Sequence, residues 1–399
     1  MTVAVLFGGK SGEHEVSLVS ASSVVRRIDR TKHSLVLIGI AKDGLWYVQD
    51  ESEAERVVRD TNAVLKIAQD SSRIVSLVPG GGTEQALQIG QIGTNKDGAK
   101  QAKKLAVDIV FPVLHGSYGE DGLVQGLLEM AELPYCGCSV SSSAIAMDKA
   151  QAKKIWTYEG LPVVPFACIK KSALKDETLQ KELDDAEKRF GYPLFVKPCS
   201  AGSSVGAAKA GNRKELERAV HEAFLWDEKI LIEECIDARE IECSVTGDSV
   251  SCGSASCASA SCASGAEKAS TVCSYEPGEI APTHGFYDYE AKYTDPNGAR
   301  LLIPAPITAE QRTEVQAMAE RAYAALDCSG LARVDFFIDK KSGKLYLNEI
   351  NTMPGFTPIS MFPKMCGQSG LAYEQLIELL LEQGLGRFKK RRALKTSFT

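Results

Sequence analysis

The chain has 399 residues, 44% of them hydrophobic and 25% charged, with a formal net charge of -6 and a pI near 5.6. That is enough sequence for two or three domains with ample core, and the acidic balance excludes a general nucleic-acid binder, which needs a basic face to offset phosphate charge. No run approaches the roughly 18 apolar residues of a membrane span, and the opening TVAVLFGG lacks a charged leader with a cleavage site, so a cytoplasmic protein without a membrane partner is expected.

Residues 3–7 form an apolar run ending at Gly8 and Gly9, 16–28 read as a helix, and 34–40 as a second strand, the opening of a parallel α/β layer. Residues 43–104 are more polar and less periodic, a peripheral elaboration. Another buried strand, 108–114, runs through the loop 115–122 into a helix at 123–131. A helix at 141–160 follows, then the strand PLFVKP, whose end carries Lys197, the loop 199–206, a helix at 214–226 and the strand KILIEEC. The last third holds a hairpin, with arms 331–338 and 345–351, and a closing helix at 373–383. The basic run 389–392 reads as a solvated tail.

Twelve cysteines are scattered without any C-x-x-C pair, which in a long chain fits reduced thiols better than a disulfide framework or a zinc site. Residues 249–269 are almost wholly Ser, Ala, Cys and Gly; such composition buries too little apolar surface to offset chain entropy and reads as a mobile loop.

The hairpin carries the chemistry. With Asp339 opposite Leu345, the register sets Asp335 opposite Glu349 and Arg333 opposite Asn351, and the period of two puts all four side chains on one face. Facing carboxylates repel unless a positive charge lies between them. A hard divalent cation that also binds nucleotide phosphates answers that need; a solvated face paired with lysines is the alternative. The loop 199–206 has small residues that let backbone N–H groups approach phosphate, and Lys197 and Lys149 add point charges. Glu233, Glu234 and Glu240 lie where a strand leaves the second domain and can accept from an adenine amino group or ribose hydroxyls, or simply be solvated. Glu13 follows the two glycines at a strand end, where it can anchor a substrate ammonium or cap the next helix.

In chain order, GGKSGEHEVS, LHGSYGEDG, MDKA, FVKPCSAGSSVG, ILIEEC, FYDYEAKY, ARVDFF and LNEINTMPGFTPIS closely resemble the D-alanine:D-alanine ligase family of the ATP-grasp superfamily. The match spans nearly the whole chain apart from the peripheral stretch, the Ser/Cys/Ala segment and the tail. The resemblance implies an α/β fold, α+β in part, with a Rossmann-like N-terminal domain at 1–137, ATP-grasp subdomains at 138–236 and 237–388, and a tail at 389–399. It implies a ligase that joins two D-alanines through an acyl phosphate, for peptidoglycan precursor synthesis.

By the same resemblance, Asp335, Glu349 and Asn351 hold two ions of Mg2+ or Mn2+, and Lys149, Lys197, Ser204, Glu233, Glu234 and Glu240 bind ATP. Arg333 and the Gly355 N–H stabilise the oxyanion, while Glu13, Ser203 and Tyr293 form a hydrogen-bonded group around the first D-alanine. His115, Lys292, Ser360 and the Met361 backbone contact substrate, with Ser360 and Met361 on the second carboxylate. A homodimer is the family expectation. Two alternatives stand beside this reading: a ligase for D-lactate or D-serine, which the lid tyrosine at 293 disfavours, and an inactive nucleotide-binding homologue.

Overall fold

The computed structural model describes residues 1–90, 103–174, 178–250, 271–282 and 299–397. β1 (Thr2–Gly8), α1 (His14–Arg27), β2 (Ser34–Ile40), β3 (Trp46–Val48) and α2 (Glu51–Arg59) open the chain. β4 (Val75–Leu77), α3 (Gly82–Gln85), β5 (Leu87–Ile89) and β6 (Lys103–Leu105) then form a small side sheet, before β7 (Ile109–Val113) completes the main sheet in the order β3-β2-β1-β7. β1 lies parallel to both β2 and β7. It is covered on both faces, which is why it reads as an unbroken apolar run rather than an alternating one. Gly8 ends it at φ +90°, and a Cβ there would lie 2.3 Å from the Ile40 carbonyl oxygen, so only glycine lets the chain turn toward α1. That turn sets Glu13 at the carboxyl edge of the parallel strands, where ligands of open α/β sheets bind.

α4 (Leu123–Met130), α5 (Val140–Met147) and α6 (Lys149–Tyr158) follow. The single helix expected over 141–160 is therefore two. Asp148 adopts extended backbone between them, and its carboxylate accepts from the N–H groups of Ala150 and Gln151, ending one helix and capping the next. Lys149 thus becomes the first residue of a helix. β8 (Phe166–Lys170), α7 (Leu179–Phe190), β9 (Leu194–Pro198), β10 (Ala208–Ala210), α8 (Arg213–Trp226) and β11 (Lys229–Glu234) build an antiparallel sheet in the order β10-β9-β11-β8.

β12 (Ala238–Asp248), β13 (Cys273–Ser274), β14 (Gly278–Pro282), β15 (Ala299–Leu302), α9 (Ala309–Ala325), β16 (Ser329–Asp339), β17 (Leu345–Asn351), α10 (Met361–Gln368) and α11 (Tyr373–Arg392) complete the chain. The third sheet has the order β15-β14-β12-β16-β17, with β13 also on β12. Leu376, Ile377, Leu380 and Leu381 of α11 share a core with Val3, Val5, Phe7 and Phe111, so the last helix covers the first sheet.

The basic run is solvent-exposed, as the sequence reading has it, but it is the last turn of α11 and not a separate tail. Cations favour a helix C-terminus, and partners hold these: Lys390 lies 3.0 Å from Asp248, Arg391 2.9 Å from Glu129 and Arg392 2.7 Å from Glu132. The nine described cysteines are all free. No helix among the described residues is long and apolar enough to cross a membrane.

Candidate active site

Asp335 lies opposite Glu349 and Arg333 opposite Asn351 on the β16–β17 hairpin, as the sequence reading has it, although its premise was off by one. Ile338, not Asp339, faces Leu345, and a β-bulge next to Asp335 absorbs the difference by giving β17 one extra residue, Asn348. β12 extends the row, because Glu242 pairs with Asp335 on the other side. Three carboxylates, Glu242, Asp335 and Glu349, thus stand abreast across three strands. Arg333 answers two of them: its Nε and Nη2 donate to the two oxygens of Asp335 at 2.7 Å each, and its Nε lies 3.2 Å from Glu242. Lys149 answers the third, 3.1 Å from Glu349. Asn351 Nδ2 donates to Asp335 at 2.9 Å.

Among the described residues no group of three or more His, Cys, Asp or Glu side chains is disposed to hold a metal ion. The donors available are the Asp335 and Glu349 carboxylates and, after an amide flip, the Asn351 oxygen. This is an all-oxygen set of hard donors that fits a divalent cation with water and phosphate completing its shell.

Beside this row opens a cleft of about 1190 Å3 between the second and third sheets, lined by Lys149, Lys197, Ser204, Glu234, Glu240 and Asn348 among others. Lys197 Nζ donates to Asn348 Oδ1 at 2.9 Å and lies 2.8 Å from Glu233. Glu233 does not stand as a solvated strand end: its buried carboxylate sits between Lys197 and Lys153, the latter at 2.7 Å. Burial works against its charge, yet the two ammoniums outweigh burial and hold its carboxyl below the usual range. The fully buried Lys153 is driven by burial down to about 8 against the pull of Glu233. Lys149 Nζ also donates to the Ala201 carbonyl at 2.9 Å, tying α6 to the glycine-rich loop.

In that loop Ser203 and Ser204 take φ of +53° and +59°, a left-handed conformation uncommon for side-chain-bearing residues and often found at ligand-binding turns. Gly206 closes it at φ +69°, where a Cβ would come within 2.6 Å of the Trp226 ring. Ser203 Oγ donates to Glu13 Oε1 at 2.5 Å. Glu13 is the residue before α1, but its side chain makes no capping hydrogen bond, so it turns away from the helix and toward the loop. Gly116 lies against the Glu13 carboxylate, with Oε2 2.7 Å from where its Cβ would be, and donates its N–H to Glu120 Oε1 at 2.7 Å. Burial, and then the nearby Glu13 charge, push the Glu120 carboxyl up to about 8.

His115 is buried, with Nδ1 3.0 Å from the Met353 carbonyl and Nε2 2.9 Å from Ser20 Oγ. Burial lowers its pKa, so the ring is the neutral Nδ1–H tautomer that donates to Met353 and accepts from Ser20. Both ring nitrogens are engaged by protein. Ser360 precedes α10, its Oγ accepts from the Thr357 N–H at 3.0 Å, and Met361 begins the helix. A Cβ on Gly355 would lie 2.7 Å from Ser360 Oγ. Lys292 and Tyr293 lie outside the described residues, as do residues 251–270 of the Ser/Cys/Ala segment.

Sequence reasoning missed Glu242, Lys153, Asn348 and Glu120. Two carried a signal: Glu242 is two residues beyond Glu240 on one strand, hence on the same face, and Lys153 is one helical turn beyond Lys149.

Models of the D-ala D-ala ligase N-terminus and C-terminus match residues 2–138 and 155–382. A D-alanine--D-alanine ligase from Treponema denticola is 53% identical over 397 residues, covering 99% of each chain. The solved D-alanine-D-alanine ligase from Coxiella burnetii is 30% identical with a TM-score of 0.76, covering 98% of this chain and 96% of its own. The VanG D-Ala:D-Ser ligase from Enterococcus faecalis is 34% identical, also with a TM-score of 0.76, covering 96% and 99%. With both terminal family models, near-complete coverage and the ATP-grasp arrangement of sheets in agreement, the chain belongs to the D-alanine–D-alanine ligase family.

Proposed function

We propose that the protein joins two D-alanines at the expense of ATP, making the dipeptide for peptidoglycan precursors. The observation that carries this reading is the carboxylate row Glu242–Asp335–Glu349 with Arg333 and Lys149 beside it, facing a cleft that leads to the Glu13–Ser203 contact. Glu13 holds the ammonium of the first D-alanine, oriented by Ser203. A carboxylate oxygen of that substrate attacks the γ-phosphorus of ATP; the bond to the β-phosphate oxygen breaks, and ADP and an acyl phosphate result.

Lys149 and Lys197 neutralise charge on the transferring group, and the Ser204 backbone cradles phosphate. Asp335, Glu349 and Asn351 would hold the divalent cations, magnesium or manganese and two in number, which supply further neutralisation of phosphate charge. Glu234 and Glu240 contact adenine and ribose, with Glu233 reaching the nucleotide alongside Lys197. The amine of the second D-alanine, having lost its proton, then attacks the acyl carbonyl. Arg333 and the Gly355 N–H receive the oxyanion, and phosphate leaves as the amide forms. Ser360 and the Met361 backbone hold the second carboxylate, His115 borders the first substrate, and Lys292 and Tyr293 close the lid.

The protein acts in the cytoplasm as a homodimer. Leu123, Leu127 and Met130, exposed along one side of α4, support the homodimer as a surface that a second copy would cover. Light scattering on the purified protein decides the oligomeric state. The test of the activity is phosphate release with Mg-ATP, which should require D-alanine and match dipeptide formed; release without peptide product across D-amino acids overturns it. The similarity to a D-Ala:D-Ser ligase supports a second reading, in which D-serine is the second substrate, and the same assay run with D-serine separates the two.

A further inference from the structure

Gly355 lies in a short stretch whose flanking peptide planes are both fastened to the first sheet's edge. The carbonyl of Met353 accepts from His115 Nδ1 at 3.0 Å, which fixes the peptide before Pro354. The N–H of Phe356 donates to Ser20 Oγ at 3.2 Å, which fixes the peptide after Gly355. Ser20 in turn gives its own proton to His115 Nε2 at 2.9 Å, so the hydrogen bonds run in one direction: Phe356 N–H to Ser20, Ser20 to His115, His115 to Met353. Ser20 is fully buried, and Met353, Phe356 and His115 are buried around it. Phe356 is held further by Tyr373, whose hydroxyl donates to its carbonyl at 2.7 Å, and by edge-on ring packing against Phe111.

Between the two anchored planes only one peptide remains, Pro354–Gly355, which carries the Gly355 N–H. Proline fixes φ at 354. The direction of that N–H is then set almost wholly by the two anchors.

We propose that Ser20 is a positioning residue for the second chemical step: through His115 and the Phe356 N–H it aims the Gly355 N–H at the oxyanion formed when the second amine attacks. The inference rests on the oxyanion role proposed above for Gly355. Ser20 stands on α1, far in sequence from the loop it steers, and touches no substrate. A serine within a helix commonly returns its hydroxyl to a carbonyl one turn back; this one spends its hydroxyl on the loop.

The effect is confined to amide formation, because acyl-phosphate formation draws on Lys149, Lys197 and the cation site instead. In full-length Ser20→Ala with Mg-ATP and D-alanine, the expected result is a fall of about 10- to 100-fold in dipeptide kcat, the range for a catalytic donor displaced by a fraction of an ångström to an ångström. KM for ATP stays within about twofold. The ratio of ADP to dipeptide rises above the parent's, since the acyl phosphate outlives its proper acceptor and is lost to water. Ser20→Thr, which keeps the hydroxyl, should recover much of the coupling.

Equal losses of ADP and dipeptide, or a dipeptide rate near the parent's, overturn the proposal. If the alanine variant does not fold, Ser20→Cys, a weak donor of similar volume, is read by the same ratio. Absence of dipeptide from the parent itself would overturn the underlying reading, whereas a coupled parent with an equally coupled variant overturns the Ser20 proposal alone.

Discussion

Ser203 and Glu13, 190 residues apart in the chain, meet through a 2.5 Å hydrogen bond that joins the glycine-rich loop to the carboxyl edge of the first sheet. A hydrogen bond to a charged acceptor is worth about 1.5–3 kcal/mol. Ser203→Ala should therefore lower kcat/KM for the first D-alanine by about 10- to 100-fold, with the larger share in kcat if the loop must be held for phosphoryl transfer. Initial rates at varied D-alanine and saturating ATP test this, and a change below twofold would count against the contact.

Glu349→Gln removes one charge from the row without changing volume. The expected outcome is a loss of several kcal/mol of transition-state stabilisation, at least about 100-fold in kcat, at a melting temperature near the parent's. Raising Mg2+ should recover only part of it. Near-normal turnover at ordinary Mg2+ would show that Glu349 is no cation ligand.

Glu120 gives a pH signature. Its folded pKa of about 8 lies above the value of an unfolded glutamate near 4.5, so below pH 4.5 both states are protonated and nothing is lost. As pH rises from there to 8, the unfolded chain ionises while the folded one keeps its proton, and stability falls by at most about 1.4 kcal/mol per pH unit. Glu120→Gln cannot ionise and still accepts the Gly116 N–H. Its melting temperature relative to the parent should climb between pH 5 and pH 8 in ligand-free protein; a constant difference refutes the shift.

The Ser/Cys/Ala segment connects β12 to β13, and those strands pair directly, Val245 with Ser274 and Thr246 with Cys273. The ends of the segment are therefore already neighbours, and shortening the connection changes closure entropy little. Replacing residues 251–270 by a short Gly/Ser turn should leave kcat within twofold and stability within about 1 kcal/mol. A large drop in melting temperature, or metal lost with the segment, would refute its dispensability.

Tyr293→Phe addresses the choice of second substrate. Losing the hydroxyl removes one member of the hydrogen-bonding group that the family resemblance assigns to Glu13, Ser203 and Tyr293, so the ratio of kcat/KM for D-lactate to that for D-alanine should rise at pH 6 to 7. An unchanged ratio means that the lid tyrosine does not govern the choice.

Elements set by local pattern were legible in the sequence. Ser34–Ile40 is a strand with the bounds that its apolar run dictates, whereas the opposition of Asp335 to Glu349 came out as read only because the bulge at Asn348 offsets a turn register misplaced by one residue. What stayed hidden depends on contacts distant in sequence. The bulge at Asn348 goes with the Lys197 contact, and a pattern of alternating side chains cannot announce one extra residue. Asp148 splits a helix that composition alone would continue. The basic run continues α11 for one more turn, beside Asp248, Glu129 and Glu132 of other elements, which no local pattern announces. The pairing of Glu233 with two lysines stayed hidden because neither Lys153 nor Lys197 is its neighbour in the chain.

The packing of Trp226 against Gly206 gives the chain a built-in optical probe. Of its three tryptophans, Trp156 is wholly buried with its indole N–H on the Ala322 carbonyl and Trp46 is partly buried, whereas Trp226, the last residue of α8, is 58% exposed. Solvent-exposed indoles emit at longer wavelengths than buried ones, so Trp226, the most exposed of the three, contributes most at the long-wavelength edge. Nucleotide that draws residues 199–206 inward would shift that component alone, and loop closure becomes a stopped-flow fluorescence measurement on unlabelled protein.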